Sequence, residues 1–451
     1  MDFRNKSFLI YGMGVSGKGL VKLLKNVTDN LVLYDDRKEL DTESLINELG
    51  LKKDTKVILG NLKKEDLENT DVLAISPGVS INVPAVQMAE QAGIPVLGEL
   101  EIAYELSKGR LIAITGTNGK TTTTTLVGQI VKAACDKVFV VGNIGISYAS
   151  VALETTETSV TVAEVSSFQL ESIRDFHPQI SAILNITPDH LDRHGTFENY
   201  AACKMNITRN QKADEKCIVN YDDKYLVELS RNIVPEPIYF SRLEKLEKGV
   251  YLDGDIIVYS DGKEAVPVMN KNDMNLMGNH NVENVMAAVA ICACAGIPLN
   301  VIAETVKEFK AVEHRIEYVR TVNGVSFYND SKGTNTDAAA KAVESMVAPA
   351  VLIAGGYDKG ADFTDWIKGF NGKIKAMVLI GATADKIAEQ ARQCGFENIY
   401  MAGNIEKAVE ESYHLAEDGE CVLLSPACAS WDQFRSYEER GRIFKDLVNR
   451  L

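Results

Sequence analysis

The segment Gly116-Thr117-Asn118-Gly119-Lys120-Thr121-Thr122 holds residue types, in a spacing, that suit polyphosphate chemistry. Residues 111–115 before it read as a strand and residues 122–134 after it as a helix, the setting that makes a glycine loop a phosphate loop. Glycines let backbone N–H groups close around phosphates, and the helix N-terminus adds positive potential. Lys120 would reach the terminal phosphates, and the Thr121 hydroxyl would bind Mg²⁺. The longer pattern GxxxxGK(S/T) asks for glycine at position 114, where this chain has Ile114, so the loop fits the shorter GTxGK(S/T) form.

Carboxylates and an imidazole follow at places that could serve the same loop. Glu164 ends the strand at 160–163, where a Walker-B acid would hold Mg²⁺. Asn185-Ile-Thr-Pro-Asp-His-Leu-Asp-Arg193 follows the next strand, 180–184, so Asp189 and His190 leave the same sheet edge. Lys204 stands on a predicted helix at 196–209, where a lysine ordinarily faces solvent, and His194 receives no role. A second glycine motif, Gly12-Met-Gly-Val-Ser-Gly17, opens a helix behind the first strand, with Asp35 and Asp36 about twenty residues on. Glycines for a diphosphate and an acid for a ribose suit NAD. The motif itself specifies only a diphosphate at a helix N-terminus, and a UDP-sugar carries the same group.

The elements that must position these residues alternate strand and helix almost throughout. Strands at 7–11, 31–34, 72–75 and 95–97, with helices over 15–25 and 42–49, make a first parallel sheet. Strands at 111–115, 138–141, 160–163 and 180–184 begin a second, and those at 325–329, 351–354, 376–380 and 421–424 a third. At ~100–200 residues per domain, 451 residues accommodate three such units. The expected architecture is therefore α/β in three domains. A Rossmann-like domain covers 1–98, a central P-loop-type ATPase domain 99–311, and a C-terminal Rossmann-like domain 312–451. Asp/Gly turns and short β-rich runs between 248 and 277 predict a small antiparallel insertion in the central domain.

Composition narrows the classes. Hydrophobic residues make up 45% and charged residues 25%, as in ordinary soluble globular proteins. The net charge of −15 comes from acids spread along the chain, with no basic block of the kind a phosphate backbone needs, so no nucleic-acid partner is expected. Eight cysteines show neither CxxC nor zinc-type spacing. No apolar run approaches the ~20 residues of a membrane span, and the opening MDFRNKSFLIYG lacks the apolar core of a signal peptide. A cytoplasmic monomer without membrane insertion is the expectation.

Motif order then makes a resemblance specific. GTNGKT at 116–121, GNIG at 142–145, EVSSFQLE at 164–171, NITPDHLDRH at 185–194, GNHNVEN at 278–284, EHR at 313–315, NDSKGTN at 329–335 and GGYDKG at 355–360 occur in series. Together they resemble the Mur ligase family over nearly the whole chain. GMGVSG, SPGVS at 76–80 and SPACASWDQF at 425–434 resemble the branch of that family that adds D-glutamate. The resemblance implies an ATP-dependent ligase of peptidoglycan precursor synthesis. Its substrates would be UDP-N-acetylmuramoyl-L-alanine and D-glutamate, joined through an acyl phosphate with release of ADP and phosphate.

The resemblance also implies roles. Val15, Ser16, Asp35, Asp36 and Arg37, with Gly14, would surround the uracil, and Ser76, Gly78 and Asn143 would approach the diphosphate and sugar. The family often carries threonine where this chain has Asp36. ATP would meet Gly116, Thr117, Asn118, Gly119, Lys120, Thr121, Thr122, Asn281 and Asn284, with Arg315 and Asp330 from the third domain. Thr121 and Glu164 would hold one Mg²⁺, and His190 with a carbamylated Lys204 a second, so Lys120, Glu164, His190 and Lys204 form the catalytic group. Lys332, Thr334, Lys359, Ser430 and Tyr437 would shape the amino-acid pocket, where cations and hydroxyls suit a dicarboxylate. Closure of the third domain would exclude water. Four rivals fit less well. The PACAS segment at 426–430 and the GMGVSG start argue against another Mur ligase that adds L-alanine, L-lysine or a dipeptide. A folylpolyglutamate synthase lacks the first domain, an NAD-dependent dehydrogenase leaves Glu164, His190 and the third domain unused, and a non-catalytic nucleotide switch needs no amino-acid pocket.

Overall fold

The computed structural model describes residues 2–142, 146–310, 312–357 and 360–451, without the side chain of Asp192. They form three α/β sheets in two compact units, Met1–Lys271 with Glu283–Val306 and Asn272–Val282 with Lys307–Leu451.

The first sheet comprises β1 (Phe8–Tyr11), β2 (Leu31–Asp35), β3 (Val57–Leu59), β4 (Val72–Ile75) and β5 (Val96–Gly98). Their order is β3-β2-β1-β4-β5 and every pair is parallel. All four residues of β1 are buried, as in a strand covered on both faces. Strand order reverses between β1 and β4, so the loops that follow them open a crevice of the kind that binds ligands in open α/β sheets. Gly17 permits this geometry. A Cβ there would stand 1.7 Å from the Gly12 carbonyl oxygen, so any side chain would push the helix Val15–Leu24 off the turn.

The second sheet comprises β6 (Arg110–Thr115), β7 (Val138–Gly142), β8 (Val160–Glu164), β9 (Ile180–Ile183), β10 (Lys216–Asn220), β11 (Glu236–Ser241), β12 (Lys248–Asp253), β13 (Ile256–Asp261) and β14 (Ala265–Asn270). The order β14-β13-β12-β11-β10-β9-β6-β8-β7 places β6 between β8 and β9, so the loops after these three strands meet at one edge. The expected antiparallel insertion is present as β12 to β14. It is not a separate sheet, because β12 pairs with β11 and so lengthens the central one. One core runs from the first sheet into the second. The helix Glu99–Leu106 supplies Leu100, Ile102 and Ala103 to the cluster that holds Ile10, Val72, Ala113 and Val141. Burial on this scale, about 1.5–3 kcal/mol for a leucine, fixes the two sheets to one another.

The second unit carries β15 (Glu317–Val322), β16 (Val325–Asn329), β17 (Ala350–Ala354), β18 (Ile374–Ile380), β19 (Ile399–Gly403) and β20 (Cys421–Leu424). Its order is β15-β16-β20-β17-β18-β19, with β15 antiparallel to β16 and the remaining pairs parallel. Insertion of β20 between β16 and β17 brings the 425–434 segment beside the 329–335 segment. The edge strands β3, β15 and β19 are half-exposed, so their apolar pattern is weak in the sequence. No helix among the described residues is long and apolar enough to cross a membrane.

Candidate active site

Register puts the central motifs together. Ile114 pairs with Glu164 and Thr115 with Ile183, so the buried Glu164 lies next to the start of the phosphate loop. Gly119 takes φ +83°, and a Cβ there would lie 2.2 Å from Asn284 Oδ1, so both backbone and space require glycine. The helix Lys120–Ala134 begins at once and buries Thr121 and Thr122. Lys120 Nζ donates to the carbonyls of Gly116 and Thr117, each at 2.8 Å. Thr123 Oγ1 donates to Asn284 Oδ1 at 3.4 Å, which joins Asn284 to the loop's helix.

The loop is shaped by a residue that has no role in the sequence expectations. Asn185 Oδ1 accepts from Asn118 N at 2.8 Å, and its Nδ2 donates to Asn118 O at 3.1 Å. Thr117 N donates to Asn185 O, and the Thr117 hydroxyl binds both the N–H and the carbonyl of Thr187. Thr117 and Asn118 therefore turn their N–H groups to the 185–187 segment. Phosphates would be met from Gly119 onward, where the first-turn N–H groups of a helix lack intrahelical partners.

Lys204 departs from the ordinary behaviour of a helix lysine. It does not face solvent: it is 2% exposed on the helix Phe197–Met205, and its Nζ donates to Gly116 O at 2.8 Å. Burial first, and then the charge of Lys120, hold its pKa well below the usual lysine value, while Asp189 and Glu164 act in the opposite sense. Two amines thus converge on one carbonyl of the phosphate loop. His190 takes φ +52°, with Nε2 3.6 Å from Asp189 Oδ2 and its ring edge-on to Phe168 at 4.9 Å. His194 is buried, with Nδ1 3.4 Å from Glu171 and Nε2 3.1 Å from Ser167 Oγ.

In the first-sheet crevice, Asp35 accepts from Met13 N at 2.7 Å and pairs bidentately with Nε and Nη2 along one edge of the Arg37 guanidinium. That guanidinium holds the Asp35 carboxyl down at about 2. The two oxygens of Asp36 accept from the Tyr11 and Tyr34 hydroxyls, whose rings are 4.4 Å apart. Burial, followed by the Asp36 bond, pushes Tyr34 up to about 12 and raises Tyr11 as well. Ser76 Oγ donates to Gly12 O at 2.7 Å and so joins the two loops of the crevice. A Cβ on Gly14 or Gly78 would meet nothing within 4 Å, so both backbones are open to a ligand, as is Val15 at 91% exposure beside Ser16. Asn143 lies outside the described residues.

The second unit holds the remaining candidates. Asp330 follows β16, and its Oδ2 accepts from Ser425 Oγ at 2.7 Å. Burial pushes its carboxyl up to about 7, against the pull of Ser425 and Arg315. Arg315 Nε is buried with no hydrogen-bond partner among the described residues, and Asn281 Nδ2 donates to Met277 O at 2.7 Å. Lys332 Nζ lies 5.3 Å from the centre of the Tyr437 ring, and Thr334 N donates to Lys332 O. Arg440, another residue absent from the sequence expectations, is fully buried. It donates to Ser331 Oγ, Ser331 O and Cys428 O at 2.9, 2.8 and 3.2 Å. It thereby clamps the segment bearing Lys332 and Thr334 to the one bearing Ser430. No spacing rule announces it, because its partners are carbonyls and one serine hydroxyl. Lys359 lies outside the described residues.

A P-loop-type centre in the second sheet and a ligand crevice in the first agree with the comparisons. Residues 6–98 match the family model described as Mur ligase MurD-like, N-terminal domain. Residues 114–292 match the Mur ligase middle domain and 314–428 the Mur ligase glutamate ligase domain. The chain belongs to the Mur ligase family. It is 53% identical over 451 residues to the UDP-N-acetylmuramoylalanine–D-glutamate ligase of Lachnospira eligens, with 100% of each chain covered. To the ligase of that name from Clostridioides difficile it is 44% identical over 453 residues, again with 100% of each covered. Two solved structures share the three-domain α/β fold. The UDP-N-acetylmuramate-alanine ligase MurC of Thermotoga maritima has a TM-score of 0.61 at 17% identity, covering 98% of this chain and 99% of its own. The MurF ligase of Thermotoga maritima in complex with ADP has a TM-score of 0.62 at 15% identity, with 100% of both chains covered.

Proposed function

We propose that this protein joins D-glutamate to UDP-N-acetylmuramoyl-L-alanine at the expense of ATP, a step of peptidoglycan precursor synthesis. One observation carries the reading. A phosphate loop, a buried carboxylate and a buried amine meet at one sheet edge, in a chain 53% identical from end to end to a ligase of that name.

A free carboxylate does not acylate an amine, because oxide would have to leave. Transfer of the γ-phosphoryl group of ATP to the substrate carboxylate makes phosphate the leaving group. Lys120 and the N–H groups at its helix start offset the charge of the two anions that must approach. The D-glutamate amine then attacks the acyl phosphate, loses a proton, and the tetrahedral intermediate collapses to amide and phosphate. The donors suit Mg²⁺: a hydroxyl and a carboxylate from Thr121 and Glu164 for one ion, and the His190 imidazole with Lys204 for a second. Lys204 fits only after modification, since an ammonium cannot ligate a cation. Its buried amine, biased toward the neutral form, is the species that adds CO₂ to give a carbamate and a proton. Bound Mg²⁺ would supply charge neutralisation between nucleotide and carboxylate.

In this reading domain 1–98 takes the UDP portion through Gly14, Val15, Ser16, Asp35, Arg37, Ser76, Gly78 and Asn143. Asp36, held by two tyrosines, remains there as an acceptor. Domain 99–311, with Asn281 and Asn284, takes ATP. Domain 312–451 brings Arg315 and Asp330 to the nucleotide and binds D-glutamate with Lys332, Thr334, Lys359, Ser430 and Tyr437. The protein works in the cytoplasm as a monomer.

The test is phosphate release with ATP, Mg²⁺ and UDP-N-acetylmuramoyl-L-alanine, each candidate amino acid being added in turn. Release with D-glutamate, and not with L-glutamate or L-lysine, is expected. Release only with another acceptor would move the chain elsewhere in the family. No release, with tight NAD binding, would reject the ligase.

A further inference from the structure

Arg193 lies where three motif segments of the first unit meet. Its Nη1 donates to Pro77 O and its Nη2 to Val79 O, both at 3.0 Å, so it grips the 76–80 loop from both sides of Gly78. The same guanidinium binds Glu171, through Nη2 at 2.5 Å and Nε at 3.2 Å, at the end of the segment that starts with Glu164. Its central carbon stands 4.1 Å from the centre of the Phe168 ring, and Phe168 packs edge-on against His190 at 4.9 Å. The Arg193 and Glu171 side chains are only 13% and 10% exposed. An exposed ion pair of this type would contribute little and leave both side chains mobile. A bidentate pair this enclosed, with its remaining donors on two carbonyls, is a fixed joint. Lysine could not replace it, because a point charge does not span a carboxylate and two carbonyls in one plane.

We infer that Arg193 is a positioning residue that straps the 76–80 loop of the sugar-nucleotide crevice to the segment bearing His190. The inference rests on the ligase reading above. Pro77 and Val79 turn their carbonyls to Arg193, and the intervening Gly78 backbone is left open to a ligand. Ser76 ties the same loop to Gly12. The strap therefore sets where a diphosphate held between the two loops stands relative to the phosphate-transfer edge of the central sheet.

The experiment compares the full-length wild type with Arg193→Met, Arg193→Lys and Glu171→Gln, reading the KM for each substrate, kcat and Tm. In Arg193→Met the sugar-nucleotide KM should rise at least about 10-fold while the ATP KM stays within about twofold, with Arg193→Lys between the two. About 10-fold is what losing a single 1.4 kcal/mol of preorganisation would give. A folded Arg193→Met with both KM values unchanged overturns the strap, as does an equal rise in both or a fall in kcat alone. If Arg193→Met does not fold, Glu171→Gln decides, because it keeps the carbonyl bonds and removes only the anchor charge. A sugar-nucleotide KM raised at least about threefold supports the strap, and an unchanged one overturns it. A wild type without D-glutamate-dependent turnover removes the ligase reading and the strap's ligand together, whereas normal wild-type turnover with unaltered variants removes the strap alone.

Discussion

Replacing Asn185 with alanine should weaken ATP without unfolding the protein. The change removes two hydrogen bonds to the Asn118 backbone, at 2.8 and 3.1 Å, and leaves the bond from Thr117 N to Asn185 O in place. A neutral hydrogen bond contributes about 0.5–1.5 kcal/mol net, so the pair contributes about 1–3 kcal/mol. Both bonds act on the curve of the phosphate loop and not on the hydrophobic core, so the loss is expected as loop freedom. A loop that holds its binding form only part of the time lowers apparent affinity by that fraction. At the midpoint of about 2 kcal/mol the ATP KM should rise about 30-fold. The assay is phosphate release at saturating sugar nucleotide and D-glutamate, with ADP binding by calorimetry and Tm as the fold control. An ATP KM within twofold of wild type, in a variant with unchanged Tm, would show that Asn185 does not shape the loop.

Three further outcomes are expected. Lys204→Ala should lose nearly all turnover and recover part of it with millimolar acetate or propionate, since a small carboxylate can stand in for a carbamate; full activity without rescue sinks the modification. His280 is held down at about 3 by burial, then by the charges of Lys341 and Arg315. The folded protein thus binds fewer protons than the unfolded one between that value and 6.5, so this stability is complete above pH 6.5 and is lost as pH falls. His280→Asn should remove about 2 kcal/mol of the wild-type loss in unfolding free energy between pH 7 and pH 5, measured by urea titration at both pH values; equal losses count against it. Arg440→Met leaves buried carbonyls and the Ser331 hydroxyl without their donor, and should cost about 3–5 kcal/mol with a raised D-glutamate KM. A Tm within two degrees of wild type in thermal melts would mean the clamp is dispensable.

The three sheets, the strand before the phosphate loop and the helix after it were legible because their signals are local. Four residues of β1, five of β17 and four of β20 are buried in unbroken runs, which appear in the sequence as unbroken apolar runs. The glycine at 119 was legible for the same reason, as a left-handed φ at a strand-to-helix turn admits little else. The helix Phe197–Met205 was legible as a helix, but not as one that buries its lysine. Its buried residues are Tyr200, Ala201, Cys203 and Lys204, a mixed set with no apolar stripe to mark the inward face.

By itself the sequence determined the kind of element at each motif, the order of the motifs, and hence the family, because turn sterics and apolar period act within a few residues. Only the tertiary structure decided which partner each side chain meets. The order β9-β6-β8 puts Asn185, Gly116 and Glu164 at one edge, and so turns Lys204 from a surface lysine into a buried amine on the phosphate loop. The same holds for Arg193 on the carbonyls of Pro77 and Val79 and for Arg440 on those of Ser331 and Cys428. Carbonyl acceptors are present at every residue and carry no side-chain identity, so nothing in a sequence can name the arginine that will find them until the chain has folded.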